Sequence, residues 1–273
     1  MRHASFAGQF YPADKKTLEK TVKSLLIAEK KENVHAVISP HAGYMFSGKI
    51  AGEVFSLMPK KKDFIMLGVN HTGIGKKVCF SLEDWETPLG IVRTNRDLAE
   101  KIIHRLKKEE IDVDVNEIAH AEEHSIEVQL PFLQMTQNQF EIIPIILADL
   151  SYEECKKIAE ILAEFVNKSE AVVASSDFTH YGNDYGFTPF SGNVRENLYK
   201  LDDEIILQIL KKESKAFYHL ARKSTVCGIY SVTVLAEIAK IKDWKPKLIK
   251  YTTSGDITKQ WGNVVGYAGL VFE

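Results

Sequence analysis

Cysteine is scarce: Cys79, Cys155 and Cys227 are the only three in 273 residues, and no two of them form a C-x-x-C pair. That argues against a disulfide framework and a cysteine zinc finger, and it fits a reducing compartment. Long apolar runs are missing as well, none reaching the roughly 18 residues of a membrane helix. The segment Met1 to Pro12 has no apolar stretch of the signal-peptide kind. A cytoplasmic protein with no membrane contact is expected. Charge of one sign is also lacking, with a net charge of −2 and a pI near 6.5. The run Lys60-Lys61-Lys62 is short and reads as a solvated turn, so no nucleic-acid partner is expected. Gly73-Ile74-Gly75 lacks the third glycine of a dinucleotide loop, and neither G-x-x-x-x-G-K-[ST] nor G-x-S-x-G occurs.

What is present is a globular composition, 45% hydrophobic and 26% charged, with enough material for a core. Ala13 to Lys31 reads as an amphipathic helix with Leu18, Val22, Leu25 and Leu26 on one face. Val34 to Ser39 reads as a buried strand and Ser47 to Leu57 as a helix, so His41 lies in a strand-to-helix loop. The geometry recurs: Phe64 to Val69 leads into Asn70-His71-Thr72-Gly73, and Ala171 to Ser176 leads into Asp177-Phe178-Thr179-His180.

Between these, Val78 to Ser81 and Ile91 to Thr94 flank a turn and read as a hairpin, and Asn95 is placed to cap a helix through Lys108. Pro131 is expected to bend or interrupt a helix opened by His120 to Ser125. Phe140 to Leu147 reads as a strand, with Pro144 at an edge or bulge. Tyr152 to Val166, Val194 to Lys211 and Lys215 to Lys223 read as helices; Ser224 to Gly228 opens another through Ala239, and Leu248 to Thr253 and Val264 to Phe272 close the chain as strands. With no linker or repeat, residues 1–273 are expected to form a single α/β domain.

If the three histidine-bearing strands are parallel neighbours, His41, His71 and His180 share one rim of the sheet, where α/β proteins place ligands. Cys227 is the natural fourth member, because a thiol at a helix N-terminus is pushed towards thiolate, the form that binds metal or attacks carbon. Asp177 and His180 share a loop and suit proton transfer, the carboxylate orienting an imidazole. Cys79 and Cys155 are expected to be small buried residues.

His120-Ala121-Glu122-Glu123-His124 matches the H-x-x-E-H pattern of inverted zinc peptidases, with Glu123 as base. Against it, Pro131 shortens the helix, no third ligand follows, and the other histidine loops go unexplained. His120 is expected at the surface and His124 towards the site.

Taken in order, Ala7-Gly8-Gln9-Phe10-Tyr11-Pro12, Pro40-His41-Ala42-Gly43-Tyr44, Gly68-Val69-Asn70-His71, Glu123-His124-Ser125-Ile126-Glu127, Ser175 to Gly182 and Val226-Cys227-Gly228 resemble the signature blocks of the Memo family. The resemblance covers essentially the whole chain. It implies an α/β fold with a central, mostly parallel or mixed sheet flanked by helices, like that of class III extradiol dioxygenases. Those enzymes use non-haem iron.

Carried over by motif, the resemblance makes His41 and His71 metal ligands and His180 the acid/base histidine, supported by Asp177 and His124. It puts Cys227 where the dioxygenases have a carboxylate ligand. A thiolate there is softer and shifts preference towards Cu(I), Zn or thiolate-bound iron, so iron is expected, with copper or zinc as alternatives. The expected function is that of a metal-dependent redox protein acting on a small molecule. An adaptor taking a peptide or small anion in the same pocket is the alternative, and a Cys227 nucleophile activated by a neighbouring histidine a third. Prokaryotic Memo relatives tend to be encoded beside radical SAM proteins, which implies a possible partner of that kind.

Overall fold

The structure is a computed structural model describing residues 1–27 and 33–273. Its centre is built from short runs of Val, Ile, Ala and Phe that are apolar on both faces, the pattern of strands covered by helices on both sides. These are β1 (Ala36–Ser39), β2 (Asp63–Val69), β3 (Val78–Phe80), β4 (Trp85–Thr87), β5 (Gly90–Thr94), β6 (Val113–Val115), β7 (Glu141–Leu147), β8 (Glu170–Ser175), β9 (His180–Tyr181), β10 (Pro246–Thr253) and β11 (Val264–Phe272). The main sheet runs β10-β11-β1-β8-β2-β7-β3-β6. Within it β1, β8, β2 and β7 are parallel, while β11 and β3 pair antiparallel to their inner neighbours. It is therefore a mixed sheet with a parallel centre, as expected.

The helices are α1 (Lys15–Leu25), α2 (Tyr44–Leu57), α3 (Arg96–Lys108), α4 (Glu117–Ala121), α5 (Leu130–Thr136), α6 (Tyr152–Phe165), α7 (Val194–Leu210), α8 (Ser214–Ala221), α9 (Ile229–Ile241) and α10 (Ser254–Thr258). Alternation along the strands divides the core. Ile38, Ile65, Leu67 and Val172 face Ile102 of α3, Leu162 of α6 and Leu235 of α9. Val37, Phe64, Met66 and Val173 face Leu18 of α1, Phe55 of α2 and Phe132 of α5. Among the described residues no helix is long and apolar enough to cross a membrane.

Asn95 caps α3, its side chain accepting from Leu98 N–H, as expected. Other expectations are corrected. The hairpin is β4 with β5; β3 instead pairs with β6 and β7. β7 is an inner strand, and Pro144 is tolerated because β3 covers residues 145–147 and β5 covers 141–142, which leaves Pro144 opposite their junction. Pro131 lies in the first turn of α5, where a missing N–H costs nothing, rather than interrupting a helix. Lys61 is not solvated: its ammonium is tucked onto the carbonyl of Lys168 at 2.8 Å. The helix expected from Ala13 through Lys31 is shorter: α1 stops at Leu25, where Leu26 turns to extended backbone, and residues 28–32 lie outside the described ones.

Candidate metal centre

Because β1, β8 and β2 are parallel neighbours, their carboxyl ends open on one rim, and the three loops that follow carry His41, His71 and Asp177 to His180. His41 is buried, and its Nδ1 is 2.9 Å from Ser175 Oγ. The protons on this contact can be assigned from the surrounding bonds. Ser175 Oγ donates its one proton to Ser125 O at 2.6 Å and accepts from Gln129 Nε2 at 2.9 Å. Gln129 is itself fixed, its Nε2 donating to Pro40 O and its Oε1 accepting from Ser39 Oγ. Ser175 Oγ can therefore only accept from His41, so Nδ1 carries the proton and Nε2 presents its lone pair. That Nε2 lies 3.2 Å from Cys227 Sγ.

His71 reaches the same tautomer by another route. The carboxylate of fully buried Glu123 accepts from the His71 backbone N–H at 2.7 Å and lies 3.1 Å from Nδ1. Burial would raise the Glu123 pKa, but the hydrogen bond from His71 and the nearby His71 and His124 rings outweigh it and hold the pKa near 2. Glu123 is thus an acceptor, His71 Nδ1 a donor, and Nε2 again bare. The His41 and His71 rings meet edge to face with centroids 5.3 Å apart.

Cys227 lies immediately before Gly228, the N-cap of α9, just outside the helix end where the sequence placed it. α9 begins at Ile229 behind Gly228, and residues 224–228 form the preceding turn. Burial and the neighbouring Asp177 carboxylate push the thiol well above its ordinary pKa, in the direction opposite to the expected helix-end activation. What holds the sulfur is the β8 loop: Asp177 N–H points at Sγ at 3.2 Å, and Gly228 N–H donates to Ser176 Oγ at 3.1 Å. Gly228 must be glycine for this approach, since a Cβ there would lie 2.3 Å from Ser176 Cβ.

His41, His71 and Cys227 each offer a ligand atom within 4.8 Å of the others. Two imidazole nitrogens with bare lone pairs and a sulfur fit a borderline or soft transition ion, and coordination would remove the thiol proton that burial otherwise retains. His71 Nδ1–H on Glu123 is the carboxylate-histidine arrangement that orients metal ligands.

The remaining expected residues gather round this group. His124 stacks on His71 at 4.9 Å and meets His41 edge-on at 5.2 Å. Burial pushes its pKa down to about 3, so it is neutral. His180 donates its backbone N–H to Thr225 Oγ1 at 2.8 Å, and its Nδ1 lies 2.9 Å from the Thr225 carbonyl, which can only accept. His180 Nε2 is left as an acceptor. Asp177 touches no imidazole: its Oδ1 accepts the His41 backbone N–H at 2.8 Å, so it fixes the His41 main chain instead of orienting a ring, and burial pushes its pKa up. His41, His124, Asp177 and His180 line a cavity of about 910 Å³.

His120 is fully buried, not at the surface: its Nε2 is 3.0 Å from the Cys79 carbonyl, and Arg2 Nε donates to its own carbonyl. It ends α4, with Glu123 and His124 beyond the helix, so the peptidase-like pattern does not form a two-histidine helical face. Cys79 and Cys155 are buried as expected. Sequence reasoning missed Ser175, Gln129 and Thr225 altogether, and saw Glu123 only as a peptidase base. The one available signal was position, Ser175 and Glu123 both falling inside the blocks that also carry histidines.

Similarity to known proteins agrees with this geometry. A family profile described as Memo-like protein matches residues 2–271. MEMO1 family proteins of Methanosarcina barkeri and Archaeoglobus fulgidus are 37% and 38% identical, each aligned over 100% of this chain and over 100% and 99% of their own. One from Aquifex aeolicus is 36% identical over 281 residues. The crystal structure of an uncharacterized protein from Escherichia coli K12 superposes with a TM-score of 0.58 over 88% of this chain and 100% of that one, at 8% identity, which shows a shared fold alone. With the profile spanning nearly every residue and full-length relatives above one-third identity, the chain belongs to the Memo family.

Proposed function

We propose that this protein is a metal-dependent redox protein of dioxygenase-like ancestry, holding non-haem iron through His41, His71 and Cys227. The carrying observation is that three donor atoms from three separate loops lie within 4.8 Å, with both imidazoles fixed in the tautomer that leaves Nε2 free. The sulfur donor keeps Cu(I) and Zn in contention, and iron is the choice that joins this donor set to the ancestry of the fold. Bound iron would supply one-electron chemistry. The chain's own residues supply the rest: His180 Nε2 accepts or returns a proton at the substrate, Asp177 keeps His41 in place through its backbone, and His124 and Phe10, packed at a tilt with ring centroids 4.5 Å apart, shield the ligands from water. The substrate on this reading is a small molecule entering the 910 Å³ cavity.

Elemental analysis of protein purified without oxygen, beside His41→Ala and Cys227→Ser variants, tests the reading. One iron per chain is expected in the parent and none in the variants. Parent protein that retains no more metal than the variants refutes it, and stoichiometric zinc or copper replaces iron while leaving the ligand set standing.

A further inference from the structure

A second cavity, of about 750 Å³, opens at the other end of the sheet. It lies at the amino ends of β2 and β7, whereas the histidine loops leave the carboxyl ends; along the seven residues of β2 that is roughly 20 Å from His71. Its walls are fixed. Thr87 Oγ1 donates to Gln134 Oε1 at 2.6 Å and Gln134 Nε2 to Gly90 O at 3.1 Å, which ties the β4–β5 hairpin to α5. Lys60 Nζ donates to Thr136 O and Asn138 Oδ1, which holds the loop leading into β7. Leu89, Ile91 and Phe140 supply apolar surface, and Ile91 is 59% exposed.

Three ionisable side chains line this cavity, Lys62, Arg93 and Glu141, and its other polar side chains are uncharged carboxamides. The backbone brings the three together: Arg93 and Glu141 are register partners on β5 and β7, and Glu141 N–H donates to Lys62 O at 2.9 Å. None of the three is neutralised. Arg2, Arg96, Arg105, Arg195 and Arg222 each donate to a partner, whereas Arg93 makes no side-chain hydrogen bond or ion pair among the described residues, and neither do Lys62 and Glu141. A guanidinium fork beside an ammonium receives a carboxylate, and a free carboxylate receives an ammonium. A ligand with a carboxylate alone would bring its charge against Glu141, and one with an amine alone would meet two cations.

We infer that this cavity is a binding site for a zwitterionic α-amino acid with an apolar side chain. Arg93 and Lys62 take the ligand's carboxylate, Glu141 its ammonium, and Leu89, Ile91 and Phe140 its side chain. The site shares no residue with the metal centre, so it stands or falls apart from the redox reading.

Amide chemical-shift titration of the protein with L-phenylalanine, L-leucine, hydrocinnamate and phenethylamine tests it. Saturable shifts from at least one of the amino acids are expected, centred on residues 89–93 and 138–141. Hydrocinnamate lacks the ammonium and phenethylamine the carboxylate, so each is expected to bind about tenfold more weakly or worse than the amino acid. Arg93→Gln is expected to abolish amino-acid binding. Glu141→Gln is expected to weaken it while leaving hydrocinnamate no weaker, a split that general loosening of the cavity would not give. No saturation by either amino acid at millimolar concentration, shifts centred on His41 and His71 instead, equal affinity for all the probes, or amino-acid affinity unchanged in both variants overturns the assignment. Metal content, measured on the same samples, is expected to be the same in both variants as in the parent.

Discussion

Replacing Glu123 by glutamine separates a carboxylate that merely fills space from one that sets a metal ligand. Four groups are aimed at the Glu123 oxygens, His71 N–H at 2.7 Å, Ser125 N–H at 2.8 Å, His71 Nδ1 at 3.1 Å and His124 Nδ1 at 3.3 Å. Glutamine has one acceptor oxygen, so its amide NH2 must face one of these donors. The backbone amides cannot change, and of the two rings that can, His71 is the nearer. It relieves the clash by moving its proton from Nδ1 to Nε2, which removes the lone pair a metal needs. Loss of such an outer partner typically weakens metal binding about 10–100-fold, roughly 1.4–2.7 kcal/mol. Competition titration with a chromophoric chelator near neutral pH measures this for Zn²⁺ and Co²⁺, and the sulfur-to-cobalt absorption reports whether Cys227 stays bound. A Glu123→Gln protein that melts like the parent without metal and binds within threefold of it would refute the assignment of Glu123 as the group that sets the His71 tautomer.

Three further outcomes follow from the geometry. Burial pushes His120 down to about 4 and His124 to about 3, so on acidification the unfolded chain takes up their protons first; stability is complete above about 6.5 and falls below it. Each contributes a slope of about 1.4 kcal/mol per pH unit, and urea unfolding that stays flat from pH 6.5 to 4 would contradict the burial of neutral rings. Thr225→Val keeps the shape but strips the hydroxyl that accepts His180 N–H and donates to His180 O. A loss of about 1–3 kcal/mol in denaturant melts is expected, with Thr225→Ser restoring most of it. Gly228→Ala drives a Cβ to 2.3 Å from Ser176 Cβ and 2.8 Å from Ser175 O, so the turn carrying Cys227 must move. Cobalt bound to that variant is expected to lose its sulfur absorption, and an unchanged spectrum would show that the turn tolerates the methyl.

The strands that build the rim were legible because β1, β2 and β8 are continuous apolar runs, and a histidine a few residues past such a run has few other places to go. Which strands were neighbours was not legible. Pairing of β3 with β6 and β7 instead of β5 depends on contacts that local pattern does not encode, and Pro144 reads as an edge signal only until two short strands are seen to share the flank it faces. The ligand set was legible as positions; the partners that make those positions chemically specific were not. Ser175 meets His41 across 134 residues and Glu123 meets His71 across 52. The surroundings of the Cys227 thiol were hidden for a related reason. The helix-end reading used a local dipole, and the dominant influences, burial and the Asp177 carboxylate, come from a segment 50 residues away.

Three imidazoles on one rim carry their protons on the same nitrogen for three unrelated reasons. His41 Nδ1 faces a hydroxyl whose own proton is already directed at Ser125 O, His71 Nδ1 faces a carboxylate, and His180 Nδ1 faces a backbone carbonyl. The partners differ in how strongly they draw the proton, and so in how basic they leave Nε2. A carboxylate makes His71 the strongest donor to a cation, whereas His180 has only a neutral carbonyl behind its Nδ1. Distance then completes the division: His41 Nε2 is 3.2 Å from the Cys227 sulfur, while His180 is held to Thr225, two residues before that cysteine. The turn that positions the thiol therefore also positions the proton carrier. Asp177 has both neighbours in hand, its amide on the sulfur and its carboxylate on the His41 amide. The Cys227 thiol brings no carboxylate oxygens of its own, yet negative charge and acceptor oxygens stand beside it. They belong to Asp177, whose carboxylate holds the His41 amide and whose own amide meets the Cys227 sulfur, two of the three candidate ligands.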